Sequence, residues 1–288
     1  MTPARRGPAG HITGLNRWLD EWAKETGVAS GRLRRRVGVI AVAAMLDSCR
    51  DADGGHLFHF KGGSALELRF GDRARTSKDL DAVFRGLMSE AQSVIGGALA
   101  AGWSGFTGRV TKVEEITTAT RTVKPLRITT KLRYLAKDFC TLPLEIAPPE
   151  GAMGSPDAVT IMPMAEVGLE PPTSVPCLSL RYQIAQKLHA CTEQLTDGKP
   201  NPRARDVADL LLIRELAGDD LDLADVRAAC VDIFDVRDLH PWPPALVPAE
   251  EWPALWAKLV EDENFPVRDL DEAVEQVRAF ITDIDAAR

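Results

Sequence analysis

Hydrophobic and polar positions follow a compact order between residues 57 and 84. An apolar run over residues 57–60 leads into a Gly62-Gly63 turn, a short helical pattern and a second apolar run over residues 82–84. This order predicts a strand, a glycine turn, a helix, a loop and a second strand. Because residues i and i+2 of a strand point to the same face, we expect Asp79 and Asp81 to project together, away from Leu80.

Alternating positions predict β structure over residues 124–139, with a hairpin turn over residues 136–138, and a following strand over residues 141–147. Glu145 is the one carboxylate in the second of these strands. It is either an exposed partner of Lys131 or Arg133, or a third metal ligand beside the two aspartates, because a buried charge needs a partner or a metal. Pro143 lacks an N–H group, which indicates a sheet edge or a bulge.

Helical periodicity dominates the chain after residue 178. The pattern predicts a helix over 180–191, further helices over 204–216, 222–237, 250–262 and 269–286, a loop over 197–202 and a loose tail over 1–11. The proline-rich stretch over residues 148–176 favours a connection between domains. We therefore predict an α/β (α+β) protein, in which a lobe with a mixed β-sheet (1–150) is joined by a linker (151–176) to a helical lobe (177–288).

Composition narrows the functional classes. The 288 residues carry a formal net charge of −7, which argues against a generally basic coat for nucleic acid but allows a local basic patch. The five cysteines are scattered without metal-binding spacing, which is typical of free thiols in a reducing compartment. No apolar run approaches the ~20 residues of a membrane helix, so we expect a cytoplasmic protein with no membrane partner.

One local basic patch stands at the start of a predicted helix. Positive charge is unfavourable at a helix N-terminus, so this patch is either a solvated face with acidic neighbours or a contact for the phosphate backbone of an RNA. The patch consists of Arg32, Arg34, Arg35 and Arg36.

The glycine turn and the acidic pair make chemical sense together. Glycine allows a backbone to approach a phosphate closely, and the N–H groups at a helix start favour an anion, so Gly63 and Ser64 form a candidate phosphate-binding turn. Two adjacent carboxylates favour a cation, and Mg²⁺ binds such ligands while sharing phosphate oxygens. The alternative is an ordinary turn beside a solvated strand face. In this order and spacing, the pattern favours a site for nucleotidyl transfer.

The predicted helical lobe also carries candidate chemistry. Lys187 lies in a largely apolar helix, where a lysine usually extends its amine to water. Asp206 and Asp209 are three residues apart and share one face of the next helix. Acidic side chains are also favourable near a helix N-terminus without any catalytic role, so the residues alone leave both interpretations open.

Five stretches carry a more specific signal when they are taken in order: KGGSALELRF, RTSKDLD, PLEIA, IAQKLHA and RARDVADLLLI. They resemble the AbiEii-type nucleotidyltransferase toxins, most closely the MenT-like mycobacterial branch of that family. The resemblance extends from about residue 15 to the C-terminus. It implies a nucleotidyltransferase fold in the N-terminal lobe and a helical lobe that closes over the nucleotide.

The resemblance implies a role for each matching residue. It implies Mg²⁺ binding, as one ion or two, by Asp79, Asp81 and Glu145, and nucleotide binding by Lys61, Gly63, Ser64 and Lys187. It also implies catalysis by Asp79, Asp81, Lys187 and Asp206, and orientation of Arg203 or Arg205 by Asp209.

The position of Ser77 makes it a candidate modification site. It lies two residues before Asp79, so a phosphate there would add negative charge beside the metal ligands.

The implied activity is that of a toxin of a toxin–antitoxin pair. Such an enzyme transfers NMP from an NTP to an RNA acceptor, here the tRNA 3′ end, and releases pyrophosphate, which blocks aminoacylation and translation. Its partners would be tRNA and a cognate antitoxin. Two alternatives are a nucleotidyltransferase for a small hydroxyl compound and a non-catalytic protein that senses nucleotide. The acidic pair and Lys187 count against the second, and only the arginine patch favours RNA over a small molecule.

Overall fold

The chain divides into two compact units. The computed structural model describes residues 7–117, 123–162, 164–194, 201–263 and 265–288, and for residues 262 and 263 it describes the backbone. One unit, here the sheet unit, comprises Met1–Gly71, Thr76–Pro149 and Pro156–Cys177. The other, the helical unit, comprises Asp72–Arg75, Glu150–Ser155 and Leu178–Arg288. The predicted tail over 1–11 and loop over 197–202 lie partly outside the described residues.

A mixed β-sheet forms the centre of the sheet unit. Its strand order is β3-β4-β5-β2-β1-β7-β6, in which β2 runs parallel to β5 and β1 runs parallel to β7, while the other neighbours are antiparallel. The strands are β1 Phe58–Lys61, β2 Leu80–Phe84, β3 Phe106–Glu115, β4 Leu126–Tyr134, β5 Lys137–Ala147, β6 Asp157–Thr160 and β7 Ser174–Cys177.

Helices cover the apolar side of this sheet. Helix α2 is buried along most of its length and packs against β1, β5 and β7, whereas α4 packs against β3. The alternation in β4 explains this arrangement, because Ile128 and Leu132 are fully buried while Arg127 and Arg133 are exposed. The helices of this unit are α1 Ile12–Thr26, α2 Ser30–Asp47, α3 Gly62–Phe70 and α4 Ala91–Ala101.

The helical unit is built around α5, which packs against α6 and α7. The apolar stripe of α5 is buried as its periodicity predicts. Helix α6 also contacts α8 and α9. In the described part of the chain, no helix is long and apolar enough to cross a membrane. The helices are α5 Leu180–Thr192, α6 Ala204–Ala217, α7 Leu223–Arg237, α8 Trp252–Glu263 and α9 Leu270–Ala286.

The structure differs from the predicted linker over 151–176. Strand β6 and all but the last residue of β7 lie in that stretch, and β7 joins the sheet beside β1 through the pair Phe60 and Cys177. Val159 and Val175 face each other across these two strands and are both buried. Their apolar burial therefore outweighs the proline content on which the linker prediction depended.

The sheet edge or bulge predicted at Pro143 is not found there, because the register shift of β5 lies between its pairs at Asp138 and Cys140. Its strand, β5, is internal and pairs with β4 on one side and β2 on the other. The ladder to β2 begins only at the pair Leu80 and Leu144, one residue after the proline. The missing N–H group of Pro143 therefore lies just outside the residues that pair with β2.

Candidate active site

A row of charged side chains crosses four neighbouring strands of the sheet unit. Glu145 of β5 pairs with Arg127 of β4 on one side and with Asp81 of β2 on the other, and Asp81 pairs with Lys61 of β1. Residues paired in this way share one face of a sheet, so two carboxylates stand at the middle of the row and a cation at each end. We call these four residues the charged row.

Asp81 lies directly against the glycine turn. The backbone of Gly62 has a positive φ of 66°, and a Cβ at that position would be 2.3 Å from Oδ2 of Asp81. Only glycine therefore allows the carboxylate to occupy this place. The hydroxyl of Ser64 donates a hydrogen bond to the carbonyl of Lys61 and accepts one from the backbone N–H of Asp81, both at 3.2 Å. Ser64 is fully buried, and its role as a phosphate ligand stays a prediction.

Asp79 lies one residue before β2 and is half-buried, like Asp81. Burial, and then the negative charge of Glu145, raise the pKa of Asp79 above its ordinary value of 3.8. The side chain of Ser77 is buried, and its hydroxyl donates to the backbone carbonyl of Asp79 at 2.9 Å. The predicted modification of Ser77 therefore requires this hydroxyl to leave its hydrogen bond.

Glu145 pairs with a different cation from those considered in the sequence analysis. Its Oε1 accepts hydrogen bonds from Nε of Arg127 at 3.0 Å and from a terminal nitrogen of the same guanidinium at 2.5 Å. Lys131 and Arg133 instead pair with Asp138, at 2.7 and 3.6 Å. The alternative in which Glu145 pairs with Lys131 or Arg133 is therefore wrong, whereas its role as a third metal ligand stays a prediction.

The acidic residues of this face fit a divalent cation by charge and donor type. Asp79, Asp81 and Glu145 bring only carboxylate oxygens, which are the ligands that Mg²⁺ prefers. Across the described ranges, no group of three or more His, Cys, Asp or Glu side chains is already arranged to hold a metal ion. The assignment of these three carboxylates as metal ligands stays a prediction.

Lys187 forms a buried ion-pair network in the helical unit. Its amine donates to Asp206 at 2.9 Å and to Asp209 at 2.6 Å, with only 7% of the lysine side chain exposed. Burial alone would lower the pKa of Lys187, but the two carboxylates outweigh it and raise that pKa above 10.5. The alternative in which the amine extends to water is therefore wrong, because the carboxylates replace the water.

Asp209 is held by a second cation. Arg75 donates to both oxygens of Asp209, from Nε at 2.9 Å and from a terminal nitrogen at 2.8 Å. Burial opposes ionisation, but Lys187 and Arg75 together lower the pKa of Asp209 below 3.8. Arg203 approaches Asp206 at 3.7 Å, so the expectation that Asp209 orients Arg203 or Arg205 is replaced by its pairing with Arg75.

The four arginines at the start of α2 are all half-buried, and three of them contact different neighbours. Arg34 donates to Asn16 at 2.9 Å and lies over the ring of Phe139. Arg36 lies over the ring of Trp22, and Arg35 donates to the backbone carbonyl of Lys78. Their role in RNA binding stays a prediction for Arg32, Arg34, Arg35 and Arg36.

A comparison with known families supplies the deciding observation. The AbiEii family model, described as the nucleotidyl transferase AbiEii toxin of the type IV TA system, matches residues 44–279. The chain belongs to the AbiEii family. Membership implies nucleotidyltransferase activity and an antitoxin partner, and it confirms the resemblance seen in the sequence.

Solved structures agree on the fold. The chain is similar to MenT4, a nucleotidyltransferase toxin from Mycobacterium tuberculosis H37Rv, at 16% identity and a TM-score of 0.57, over 94% of this chain and 90% of that chain. This likeness confirms the predicted fold class.

Two other solved structures match with lower TM-scores. ANT(2'')-Ia with adenylyl-2''-tobramycin matches at 17% identity and a TM-score of 0.38, over 70% of this chain and 97% of that chain. A nucleotidyltransferase-like protein from Paracoccidioides brasiliensis matches at 18% identity and a TM-score of 0.36, over 83% of this chain and 91% of that chain. A search of curated proteins gave no match.

Sequence reasoning missed two cations, Arg127 and Arg75. A hairpin turn centred on Lys137 would place Thr129 opposite Glu145. The structure instead turns at Leu135 and Ala136, both with positive φ, and a register shift follows, so that Arg127 faces Glu145. The charge alternation of β4 was the available signal for Arg127, whereas no local pattern connects Arg75 with Asp209.

Proposed function

We propose that this AbiEii-family protein transfers NMP from an NTP to the 3′ end of tRNA in a metal-dependent reaction, and thereby blocks aminoacylation. The observation that carries the proposal is the charged row, with Asp79 beside it, next to a turn that only glycine permits. Paired carboxylates beside a close backbone approach suit a metal-bound triphosphate. Family membership supplies the transfer chemistry and the toxin role.

Asp79, Asp81 and Glu145 would hold the metal. When bound, Mg²⁺ lowers the pKa of the attacking hydroxyl and balances charge on the leaving pyrophosphate. Ser64 supports this site by fixing Asp81, since its hydroxyl accepts from the Asp81 backbone and donates to Lys61. Lys61, at the end of the row, and the N–H of Gly63 would contact the phosphates.

The helical unit would contribute the cation for the phosphates. In the reaction the acceptor hydroxyl bonds to the α-phosphorus, the bond from that phosphorus to pyrophosphate breaks, and the hydroxyl proton passes to water. Lys187 would stabilise the negative charge that develops on the phosphates. Asp206 and Asp209 keep the amine charged and fix its position, because both accept hydrogen bonds from it.

The acceptor is tested by withholding one chemical group at a time. The full chain is incubated with Mg²⁺, each labelled NTP in turn, and either total tRNA or the same tRNA oxidised with periodate, which destroys its 3′ diol. The proposal requires label on intact tRNA and none on oxidised tRNA. Label on a small hydroxyl compound such as an aminoglycoside, with none on tRNA, would overturn the RNA acceptor and support the small-molecule alternative.

The cellular setting is part of the same proposal. We assign the activity to the cytoplasm, where tRNA and NTPs are found, with a cognate antitoxin that opposes it. Expression of the chain without its antitoxin is expected to stop translation and growth, whereas the Asp81→Asn variant is expected to be tolerated. Equal toxicity of both forms would separate the growth defect from nucleotidyl transfer.

A further inference from the structure

Arg127 ends the charged row and is the one described partner of the Glu145 carboxylate. Two nitrogens of its guanidinium donate to the same oxygen, Oε1, at 3.0 and 2.5 Å, and no described residue donates to Oε2. Arg127 therefore holds one of the three carboxylates assigned to the metal.

The ion pair between Arg127 and Glu145 is weak enough for a divalent cation to displace the arginine. The side chain of Arg127 is 52% exposed and that of Glu145 is 27% exposed, so water and salt weaken their attraction. The buried network of Lys187, with 7% of its side chain exposed, is not weakened in this way. A divalent cation at Asp79 and Asp81 would compete with Arg127 for the same carboxylate on better terms than a second arginine, because its charge is doubled.

We propose that Arg127 is a positioning residue that holds Glu145 while the metal site is empty, releases it to Mg²⁺, and then binds a phosphate of the incoming nucleotide. The inference depends on the proposed metal-dependent function of this face. A guanidinium presents planar, paired donors that match phosphate oxygens, so its partner changes from one anion to another without leaving the site.

The same strand supplies a matched control. Arg133 lies on the same face of β4 as Arg127, with 48% of its side chain exposed, but it pairs with Asp138 instead of Glu145. Substituting either arginine removes one exposed positive charge from the same strand. A difference between the two variants therefore reports the position of the charge beside Glu145 and not the net charge of the protein.

Metal binding is measured directly, without turnover. Free Mn²⁺ is followed by electron paramagnetic resonance as it is titrated into the wild type and into Arg127→Gln, Arg127→Lys, Arg133→Gln and Asp81→Asn. Without its competitor, Arg127→Gln is expected to bind Mn²⁺ roughly two- to fivefold more tightly, the factor that an exposed ion pair is worth. The Mn²⁺ affinity of Arg127→Lys should be close to that of the wild type, and the affinity of Arg133→Gln should equal it.

Nucleotide binding should change in the opposite direction. With a non-hydrolysable NTP and saturating Mn²⁺, calorimetry is expected to show about tenfold weaker binding for Arg127→Gln, and only partial recovery for Arg127→Lys, which lacks the fork. Arg133→Gln should bind the nucleotide like the wild type.

The outcomes separate this inference from the proposed function. If Asp81→Asn abolishes Mn²⁺ binding but Arg127→Gln binds metal and nucleotide like the wild type, the role of Arg127 is overturned and the metal site stands. Weaker binding of both ligands by Arg127→Gln would indicate a structural role and also overturn the inference. If the wild type binds no Mn²⁺, the metal-dependent function and the inference fail together.

Discussion

The Asp209→Asn substitution is expected to destabilise the helical unit by about 3 kcal/mol. Only 2% of the Asp209 side chain is exposed, and it accepts hydrogen bonds from Lys187 at 2.6 Å and from Arg75 at 2.8 and 2.9 Å. Removing one partner from a buried ion pair costs about 3–5 kcal/mol, because a buried charge is left uncompensated. Asp206 still balances Lys187 in this variant, so the lower end of the range applies.

Asp206→Asn provides the matched comparison. Asp206 accepts one hydrogen bond from Lys187 at 2.9 Å, and 11% of its side chain is exposed. Its loss should cost about 1.5 kcal/mol, the contribution of a single hydrogen bond to a charged group, because Asp209 continues to compensate the lysine. Urea unfolding followed by far-UV circular dichroism measures both values.

The pH dependence of the same variants checks the cause. The pKa of Asp209 is lowered, so its contribution is complete above pH 3.8 and is lost as the pH falls through its folded pKa. The wild type and Asp209→Asn should therefore approach equal stability in strong acid. If Asp206→Asn were as destabilising as Asp209→Asn at neutral pH, the network would not be centred on Asp209 as described.

Three further outcomes are expected. Lys187→Ala should abolish nucleotide transfer while Lys187→Arg keeps part of it, because charge matters most beside a phosphate; full activity of the alanine variant in a transfer assay would remove this lysine from the site. Burial and Arg237 lower the pKa of His189 to about 3, so the free energy of unfolding should fall as pH drops from 6.5 towards 3. The free energy of unfolding is measured by urea titration at several pH values, and an unchanged dependence on pH in His189→Gln would contradict that cause. Replacing all four arginines of α2 with glutamine (Arg32, Arg34, Arg35 and Arg36) should raise the KM for tRNA, flatten its salt dependence and leave the KM for NTP unchanged. An equal loss of affinity for both substrates would indicate a folding role.

Local patterns were enough to predict most of the helices and the central strands. Apolar periodicity placed α7 and α9 within a residue or two of their observed bounds, and the alternation around Leu80 correctly separated its buried side chain from the half-buried acids. These features depend on neighbours three or four positions away in the chain, or two in a strand, so a single sequence carries them.

Long-range pairings could not be predicted in the same way. The partner of Glu145 depends on a turn and a register shift in the hairpin, and a turn centred one residue later would place Thr129 opposite Glu145 instead of Arg127. The partner of Asp209 lies 134 residues away at Arg75. The arginines of α2 form a single patch in the sequence, but in the fold Arg34, Arg35 and Arg36 contact three different neighbours.

The account is tested most directly by following each phosphorus of the NTP. The wild type and Asp81→Asn are incubated with Mg²⁺, total tRNA and an NTP that is labelled at either the α- or the γ-phosphorus. Nucleotidyl transfer predicts α-label on tRNA, γ-label in released pyrophosphate, and neither product with Asp81→Asn. γ-Label on tRNA, or α-label transferred equally well by Asp81→Asn, would contradict the central claim that these carboxylates carry out nucleotidyl transfer.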